Sequence, residues 1–408
     1  VNDEFGLLDG ITRDKEAISE QLSILQEGRD AKSRDGEMPV NEGDMSDSSN
    51  EQMDYYNRIA NRLREEATPD LFRKALQAQK SDMQGLQQAA HAAAASPAGF
   101  QMPGSSDEIW GLVKDMPLEK LFELQKEAPD TGAFADEAYK DAVEKLRQLS
   151  RNAEQSIRFL DEYRMPATPV NLIYEGQLLG NGESPFKRIL KLQQEKNVGK
   201  FNINVKDLKN FTDNLIDGQS MEEEYARLED TVSKTLEDIC SEEQTDSVSL
   251  DRFLSLRQQL GFLRMLAKRS FYQIPVLTDL GVTDVNLTII RKEQSFGELA
   301  LTTSSESLGN IKAELRLRAS ELSGYISCDN RDGLDRIKDS ITGLVSCAQE
   351  NAVTIGKLDY VLIKRDAVVT PHREEQEANE PKNPDTERIL YSLAKALLNV
   401  ISHAENSR

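Results

Sequence analysis

The residues of this chain that come closest to a binding motif are those of the stretch CDNRDGLD, at positions 328–335. A calcium-binding EF-hand loop carries acidic residues at its first, third and fifth places, a glycine at the sixth and a bidentate glutamate at the twelfth. With Gly333 in the sixth place, Cys328 takes the first place and Asp339 the twelfth. The spacing therefore argues against a calcium site and favours a loop whose polar residues cap the following helix.

The other candidate ligands and nucleophiles are too scattered to form a site. The cysteines and histidines of the chain are Cys240, Cys328, Cys347, His91, His372 and His403. They include no CxxC pair, and no histidine has a metal-ligand neighbour at a useful spacing. The stretch GQLLGNGES at 176–184 lacks the lysine of a phosphate-binding loop. The sequence therefore predicts no metal, no cofactor and no catalytic centre, and the protein is not expected to be an enzyme.

Composition argues against a nucleic-acid partner and against a transmembrane segment. The chain has 408 residues, of which 38% are hydrophobic and 30% charged, and 71 acidic against 50 basic residues give a formal net charge of -21. Nucleic-acid binding relies on Lys and Arg that displace counterions from phosphates, so no nucleic-acid partner is expected. Because no run of about 18 apolar residues occurs, no transmembrane segment is expected. The chain begins with Val1 rather than methionine, which leaves open a fragment that has lost a leader.

Composition and periodicity divide the chain into five parts. Residues 27–50 are acidic, rich in Ser, Gly and Asp, and without periodicity, which is typical of disorder. Apolar residues then recur at helical spacing until Pro275, after which the spacing changes to that of strands. The predicted parts are an acidic, largely disordered segment with one short helix at 1–53, a helical region at 54–160, a domain of paired helices at 161–273, an α+β domain at 276–366 and a polar tail with a terminal amphipathic helix at 367–408.

Two predicted helices allow more than one interpretation. The segment at 249–271 has an apolar stripe, which is ordinary core periodicity, but its basic residues could also meet an acidic partner, an anionic membrane or the protein's own acidic surface. A terminal helix is predicted to begin after a cap at Thr386. Its apolar stripe consists of Leu390, Leu393, Leu397 and Ile401. This helix either packs on the α+β domain or lies in the groove of a partner.

The region after Pro275 shows the alternation of β-strands. Val285, Leu287 and Ile289 alternate with polar residues, and a turn with Gly297 leads to a second strand in the same phase. Two further strands are predicted at 311–317 and 321–328. One continuous helix should follow, with its apolar face formed by Leu334, Ile337, Ile341, Leu344, Val345 and Ala348. The segment at 357–363 is apolar in both phases, which indicates a central strand.

The predicted fold is therefore mainly α in the N-terminal and middle regions, with a small α+β domain near the carboxyl end. Its sheet should contain four or five strands and carry one covering helix, in the order β-β-β-β-α-β. The last strand should lie parallel to the strand before the helix, because a strand-helix-strand unit of this kind forms a right-handed crossover.

These elements and one loop resemble the C-terminal domain of the flagellar hook-length control family, the substrate-specificity switch of flagellar type III export. In that family a strand of the form L-x-L leads into a P-E-E-L-G-like loop, followed by a hairpin, a helix and a closing strand. Here Leu301 and Thr303 stand at the L-x-L places, and SESLG at 305–309 forms the loop. Thr303 stands where the family has leucine and Ser305 where it has proline. The resemblance covers a minor part of the chain.

The resemblance implies a non-enzymatic role. An exported protein of this family samples the growing hook with its N-terminal part, and its C-terminal domain then touches the cytoplasmic domain of the export-gate switch protein. The implied partners are that protein and, in addition, hook or hook-cap subunits. The implied location is the cytoplasm, followed by export through the flagellar apparatus. The alternative from the residues alone is an intracellular helical scaffold or adaptor.

Six residues are expected to form the partner-binding surface if the resemblance holds. Three of them lie in the loop and three on the polar side of the next strand: Glu306, Leu308, Gly309, Lys312, Glu314 and Arg316. Each also has a structural interpretation. Gly309 suits a turn with positive φ, Leu308 suits a core position, and alternating charged residues suit a solvated strand face.

Overall fold

The computed structural model describes residues 45–75, 106–127, 139–180, 183–194, 203, 205–241, 247–279, 281–293, 296–363 and 384–407. The predicted short helix before residue 27, most of the predicted disordered segment and the polar tail at 367–383 lie outside these residues. Two compact units divide the chain, Val1–Tyr55 and Tyr56–Arg408. Helix α1 (Met45–Glu66) begins in the first unit, inside the segment predicted to be disordered, and the second unit holds all the other described elements.

Mostly short amphipathic helices fill the described part of the chain before the sheet. After α1 they are α2 (Ser106–Val113), α3 (Leu118–Glu127), α4 (Lys140–Leu149), α5 (Ala153–Glu162), α6 (Pro169–Leu179), α7 (Pro185–Gln194), α8 (Val205–Asp213), α9 (Gly218–Ser241) and α10 (Ser247–Ala267). Local chemistry explains where α6 begins. The Thr168 hydroxyl accepts a hydrogen bond from the backbone N–H of Asn171 at 3.2 Å, and Pro169 fits the first turn, where no N–H is needed.

Helices α9 and α10 pack against each other, and acidic residues of α9 pair with two basic residues near the end of α10. The Arg264 guanidinium lies 3.3 Å from the carboxylate of Glu229 on α9, and the Lys268 ammonium lies 3.4 Å from that of Glu222. These two basic residues therefore meet the protein's own acidic surface. Helix α10 ends at Ala267, short of the predicted end at residue 271, because a strand begins at Phe271.

A six-stranded sheet follows, with its strands in chain order. The strands are β1 (Phe271–Thr278), β2 (Gly281–Glu293), β3 (Phe296–Ser305), β4 (Gly309–Arg318), β5 (Glu321–Cys328) and β6 (Thr354–Leu362). Neighbours are antiparallel from β1 to β5, and β6 is parallel to β5, as the strand-helix-strand pattern predicts. The prediction of four or five strands is wrong, because the sheet has a sixth strand, β1, that was not predicted. The first six residues of β1 are all buried, so the strand shows no alternation of buried and exposed positions.

The prediction that the last strand is central is wrong, because β6 lies at the edge of the sheet beside β5. Apolar residues in both phases are typical of a strand buried on both faces. In β6 they are instead partly exposed: the exposed fractions of Val361 and Leu362 are 41% and 51%. The apolar content of this strand therefore marks an accessible surface rather than a core.

In the part of the chain that the structure describes, three helices cover the apolar face of the sheet, where one was predicted. Helices α11 (Arg331–Ser340) and α12 (Thr342–Glu350) divide the predicted single helix at Ile341, and α13 (Pro384–Asn406) is the predicted terminal helix. Helix α13 packs on the sheet, with the hydroxyls of Tyr391 and Tyr272 2.6 Å apart. The Leu390 side chain occupies the place where Gly297 of β3 has none. Of the two interpretations of this helix, packing on the α+β domain is the one observed.

Among the described residues, helices cover the opposite face of the sheet at its β1–β2 end. The ring centroids of Phe159 and Tyr163 on α5 lie 5.5 Å and 5.2 Å from that of Phe271. The Tyr163 hydroxyl reaches the Thr288 hydroxyl on β2 at 3.5 Å. In β4 the residues that alternate with the buried ones lie on this face. Their side chains are polar or charged, and they are half-buried or exposed. The architecture is therefore a sheet with a full helical layer on one side and a partial one on the other.

Candidate functional site

The SESLG loop is a tight turn between β3 and β4 that a serine side chain stabilises. The Ser305 hydroxyl accepts hydrogen bonds from the backbone N–H groups of Ser307 and Leu308, both at 3.1 Å. This serine takes the place of the proline in the resembled family, and it restrains the turn by hydrogen bonding instead of by a ring. Thr303, the other departure, is buried and donates its hydroxyl hydrogen to the backbone oxygen of Asp284 at 2.8 Å.

Two of the predicted loop residues have structural roles. The Leu308 side chain is fully buried, and its backbone oxygen accepts a hydrogen bond from the Cys328 thiol at 3.0 Å. Gly309 has a φ of 87°, and a Cβ at this position would lie 2.2 Å from Oδ1 of Asp329. Both residues therefore set the shape of the loop. Glu306 differs from them because its side chain is exposed.

The loop is joined to the beginning of α11. The Asn330 side chain accepts a hydrogen bond from the backbone N–H of Asp332 at 3.1 Å and caps α11, as expected for the CDNRDGLD stretch. The Asp329 carboxylate accepts hydrogen bonds from the backbone N–H and the side-chain amide of Asn310, at 2.7 Å and 2.8 Å. Gly333 lies so close to Leu308 that a Cβ would be 2.1 Å from its backbone oxygen.

The loop is also joined to the end of α13. Ser307 donates its hydroxyl hydrogen to Oε2 of Glu405 at 2.5 Å, and Glu405 is only 4% exposed. The Arg336 guanidinium of α11 donates to the backbone oxygens of Ala404 and Glu405, which are carbonyls left free at a helix end. Two helices therefore hold the loop in one conformation.

The predicted strand residues lie on the other side of the sheet, on a surface that we call the polar face. It is defined by Lys312, Glu314, Arg316, Tyr325 and Asp359. Pairing puts these side chains on one side, because Glu314 stands opposite Tyr325, and Tyr325 opposite Asp359. The structure therefore does not bring the predicted loop and strand residues into one cluster: the loop packs toward the helices, and the polar face points away from them.

Charged residues of the polar face form ion pairs. The Lys312 ammonium lies 2.6 Å from the Glu314 carboxylate and 6.0 Å from the centre of the Tyr325 ring. Burial alone would raise the pKa of Glu314, but hydrogen bonds from Lys312 and Tyr325 and the nearby positive charges lower it below its usual value. The Arg316 guanidinium lies 3.3 Å from the Glu298 carboxylate. Glu298 and Tyr325 were not among the predicted residues of this surface. Tyr325 could have been predicted from the sequence, because it alternates with the buried residues of β5.

A small cavity lies where the covered part of this side of the sheet meets α5. Its volume is about 160 Å³, and its lining includes Phe159 and Tyr163 of α5 together with Asn286 and Thr302 of the sheet. The Asn286 amide donates to the backbone oxygen of Leu178 at 3.2 Å. The cavity lining as described contains the charged residues Glu154, Arg158 and Glu162 but no cysteine or histidine.

The described residues contain no group of three or more His, Cys, Asp or Glu side chains that could hold a metal ion. In the same part of the chain no helix is both long and apolar enough to cross a membrane. Cys328 and Cys347 are free thiols, and burial raises the pKa of each, which makes them poor nucleophiles.

Comparison with known proteins found no matching protein-family model, no matching curated protein and no matching solved structure.

Proposed function

We propose that this protein controls hook length in flagellar assembly by switching the substrate specificity of type III export, and that it acts by protein–protein contact rather than by catalysis. The main support for the proposal is the order of the elements around the SESLG loop. Strand β3, the loop, β4, a tight turn, β5, a helix capped by Asn330, and β6 follow one another, with β6 parallel to β5. The resemblance to the hook-length control family predicts this order.

The proposed partner is the cytoplasmic domain of the export-gate switch protein, and the proposed contact surface consists of Glu306 and the polar face. Glu306 is exposed on a turn whose backbone is already fixed by the Ser305 hydroxyl, so binding does not have to order the loop. Lys312 and Glu314 are likewise held by their ion pair. Leu308 and Gly309 contribute through the shape of the loop.

The helices before the sheet suit a chain that must pass through a narrow channel. Most are about two or three turns long, and isolated helices of that length are marginal in water, so they unfold readily once tertiary packing is lost. In the proposal this part samples the hook, with hook or hook-cap subunits as further contacts. The protein starts in the cytoplasm and leaves through the flagellar apparatus.

Removal of the whole protein from its flagellated host tests the function. The expected result is over-long hooks without filaments, measured by electron microscopy of isolated hook–basal bodies, together with the wild-type protein in the culture supernatant. Hooks of normal length with normal filaments would refute the proposal. If the protein also stayed inside the cell, the intracellular helical scaffold or adaptor would replace it.

Point variants test the contact surface without disturbing the fold. Removal of residues 281–365 is unsuitable, because it deletes strands against which α13 packs. Glu306→Lys reverses an exposed charge on the loop, and we expect it to lengthen hooks while the unfolding midpoint stays unchanged. Glu123→Lys is the matched control, since it makes the same charge change at an exposed position of α3 and should leave hook length unaltered. Normal hooks with Glu306→Lys would remove the loop from the proposed surface.

A further inference from the structure

The cavity between α5 and the sheet has a helical wall and a floor of strands. One side of α5 and the residue after it form the wall, from Glu154 to Tyr163. The floor consists of five residues on three adjacent strands: Phe271, Asn286, Thr288, Ala300 and Thr302. We propose that this cavity binds the side chain of an arginine from the protein that contacts the polar face. The inference rests on the proposed function for the identity of that protein.

The cavity has room for one side chain. Ala300 contributes only a methyl group to the floor, between Thr288 of β2 and Glu314 of β4, which stand opposite it on either side. The volume of about 160 Å³ is close to that of an engineered cavity of about 150 Å³ that holds a benzene ring, and an arginine side chain is similar in size to that ring. Gln155 and Leu179 of the lining are exposed, so a side chain can enter from solvent.

The charges of the lining favour a cation. Glu154 and Glu162 each lie one helical turn from Arg158, so the lining contains two carboxylates and one guanidinium. An anionic ligand would meet an excess of negative charge. A neutral ligand would remove water from the carboxylates without replacing the favourable interaction that water provides. A ligand with one positive charge balances the lining.

The uncharged part of the lining favours a guanidinium over an ammonium. Phe159, Tyr163 and Phe271 contribute aromatic rings, and rings attract cations, more often arginine than lysine. A guanidinium is planar and more weakly hydrated than an ammonium, so it loses less on entering a half-buried site. The hydroxyl oxygens of Thr288 and Thr302 are potential acceptors for its N–H groups.

The cavity adjoins the polar face. Thr302 of the floor stands opposite Lys312, and Ala300 stands opposite Glu314. Side chains that face each other across neighbouring strands are about 5 Å apart, so a protein that lies on the polar face can reach the cavity with one of its side chains. A side chain buried in a pocket commonly supplies much of the binding energy of an interface. The polar face and the cavity therefore form one docking surface.

A blocked amino acid tests the cavity without the partner. N-acetyl-arginine methylamide carries the arginine side chain between two peptide groups, and N-acetyl-citrulline methylamide is its neutral analogue of nearly the same shape. Ligand-observed NMR with the full chain should give a dissociation constant between about 0.1 mM and about 10 mM for the arginine compound. The citrulline compound should bind at least about tenfold more weakly. Equal binding of the two compounds, or no binding of the arginine compound, would overturn the proposal.

Two variants locate the binding site. Ala300→Leu fills the cavity and keeps every charge, so it should abolish binding of the arginine compound. Glu154→Gln removes one carboxylate of the lining and should weaken binding about threefold or more. Glu123→Gln is the matched control, because it removes the same charge at an exposed position of α3 and should leave the affinity unaltered.

Circular dichroism and urea unfolding show whether these variants keep the fold. If Ala300→Leu does not fold, Glu154→Gln decides. Wild-type affinity in a folded Ala300→Leu, or in Glu154→Gln, would refute the cavity as the binding site.

A third compound distinguishes a partner's side chain from a free small molecule. n-Propylguanidine carries the same side chain without peptide groups. If it binds and the blocked arginine does not, the cavity excludes a polypeptide and the proposed partner side chain is refuted.

These titrations do not depend on hook length, so they separate the two proposals. Specific arginine binding together with normal hooks after removal of the whole protein would refute the proposed function alone. Over-long hooks after that removal, without arginine binding, would refute the arginine site alone.

Discussion

Replacement of Glu175 by glutamine should stabilise the protein in a pH-dependent way. Glu175 lies on α6 and is only 4% exposed. Burial raises the pKa of its carboxyl to about 7, although a hydrogen bond from Ser156 on α5 acts in the opposite direction. The folded protein therefore binds a proton at Glu175 more tightly than the unfolded chain does, and the free energy of unfolding falls as the pH rises from about 4.5 to about 7.

The size of the effect follows from the two pKa values. The difference between 4.5 in the unfolded chain and about 7 in the folded protein, at 1.36 kcal/mol per pH unit, gives a penalty of about 3 kcal/mol for the ionised carboxylate above pH 7. At pH 5.5 the same two values give a penalty of about 1 kcal/mol. Glutamine has the same shape and no charge, so Glu175→Gln avoids both penalties.

Urea unfolding at pH 5.5 and pH 8, followed by circular dichroism, measures this effect. The stability gained by Glu175→Gln should increase by about 2 kcal/mol between the two pH values, with an unchanged dependence of the unfolding free energy on urea concentration. Glu123→Gln on α3 is the control, because Glu123 is exposed and its replacement should have no such pH dependence. A gain that is equal at both pH values would refute the reasoning, because it would mean that Glu175 is ionised or neutral to the same extent in the folded and unfolded states.

Three further substitutions test the packing of the sheet and the loop, and urea unfolding measures each. Tyr225→Phe should cost about 2 kcal/mol or more, because the hydroxyl donates to the buried backbone oxygen of Gln273 at 2.6 Å and accepts from its N–H at 3.0 Å; a neutral effect would mean that water replaces it. Gly309→Ala should cost about 1–3 kcal/mol, because it forces a side chain into a positive φ against Asp329; unchanged stability would show that the loop can rearrange. Asn330→Ala should cost about 1 kcal/mol through loss of the α11 cap, and Asn330→Asp should restore most of it.

Local sequence patterns correctly predicted the elements in which burial follows a regular pattern along the whole length. Strands β3 and β4 each have one buried and one accessible face, so their alternation of apolar and polar residues indicates strands correctly. A cap in the loop at 329–333 was likewise predicted, because a cap depends on residues that are close in sequence, and the structure assigns it to Asn330.

Long-range contacts decide the elements that could not be predicted. Strand β1 shows no alternation because helices from distant parts of the chain bury both of its faces, Tyr163 of α5 on one side and Tyr391 of α13 on the other. Strand β6 has the composition of a central strand, and nothing within it shows that it is the last described strand of the sheet. The candidate site shows the same limit: the exposure of Glu306 and the burial of Leu308 depend on contacts of the loop with α11 and α13, which lie later in the chain.

The position of α13 in the chain has a consequence for biosynthesis. This helix completes the apolar layer over the sheet, and its Lys395 ammonium also donates to the backbone oxygen of Asp213 in α8 at 2.6 Å. A nascent polypeptide leaves the ribosome amino end first, so all six strands, together with α11 and α12, emerge before α13. Part of the apolar layer over the sheet is therefore missing until this last described helix has been synthesised.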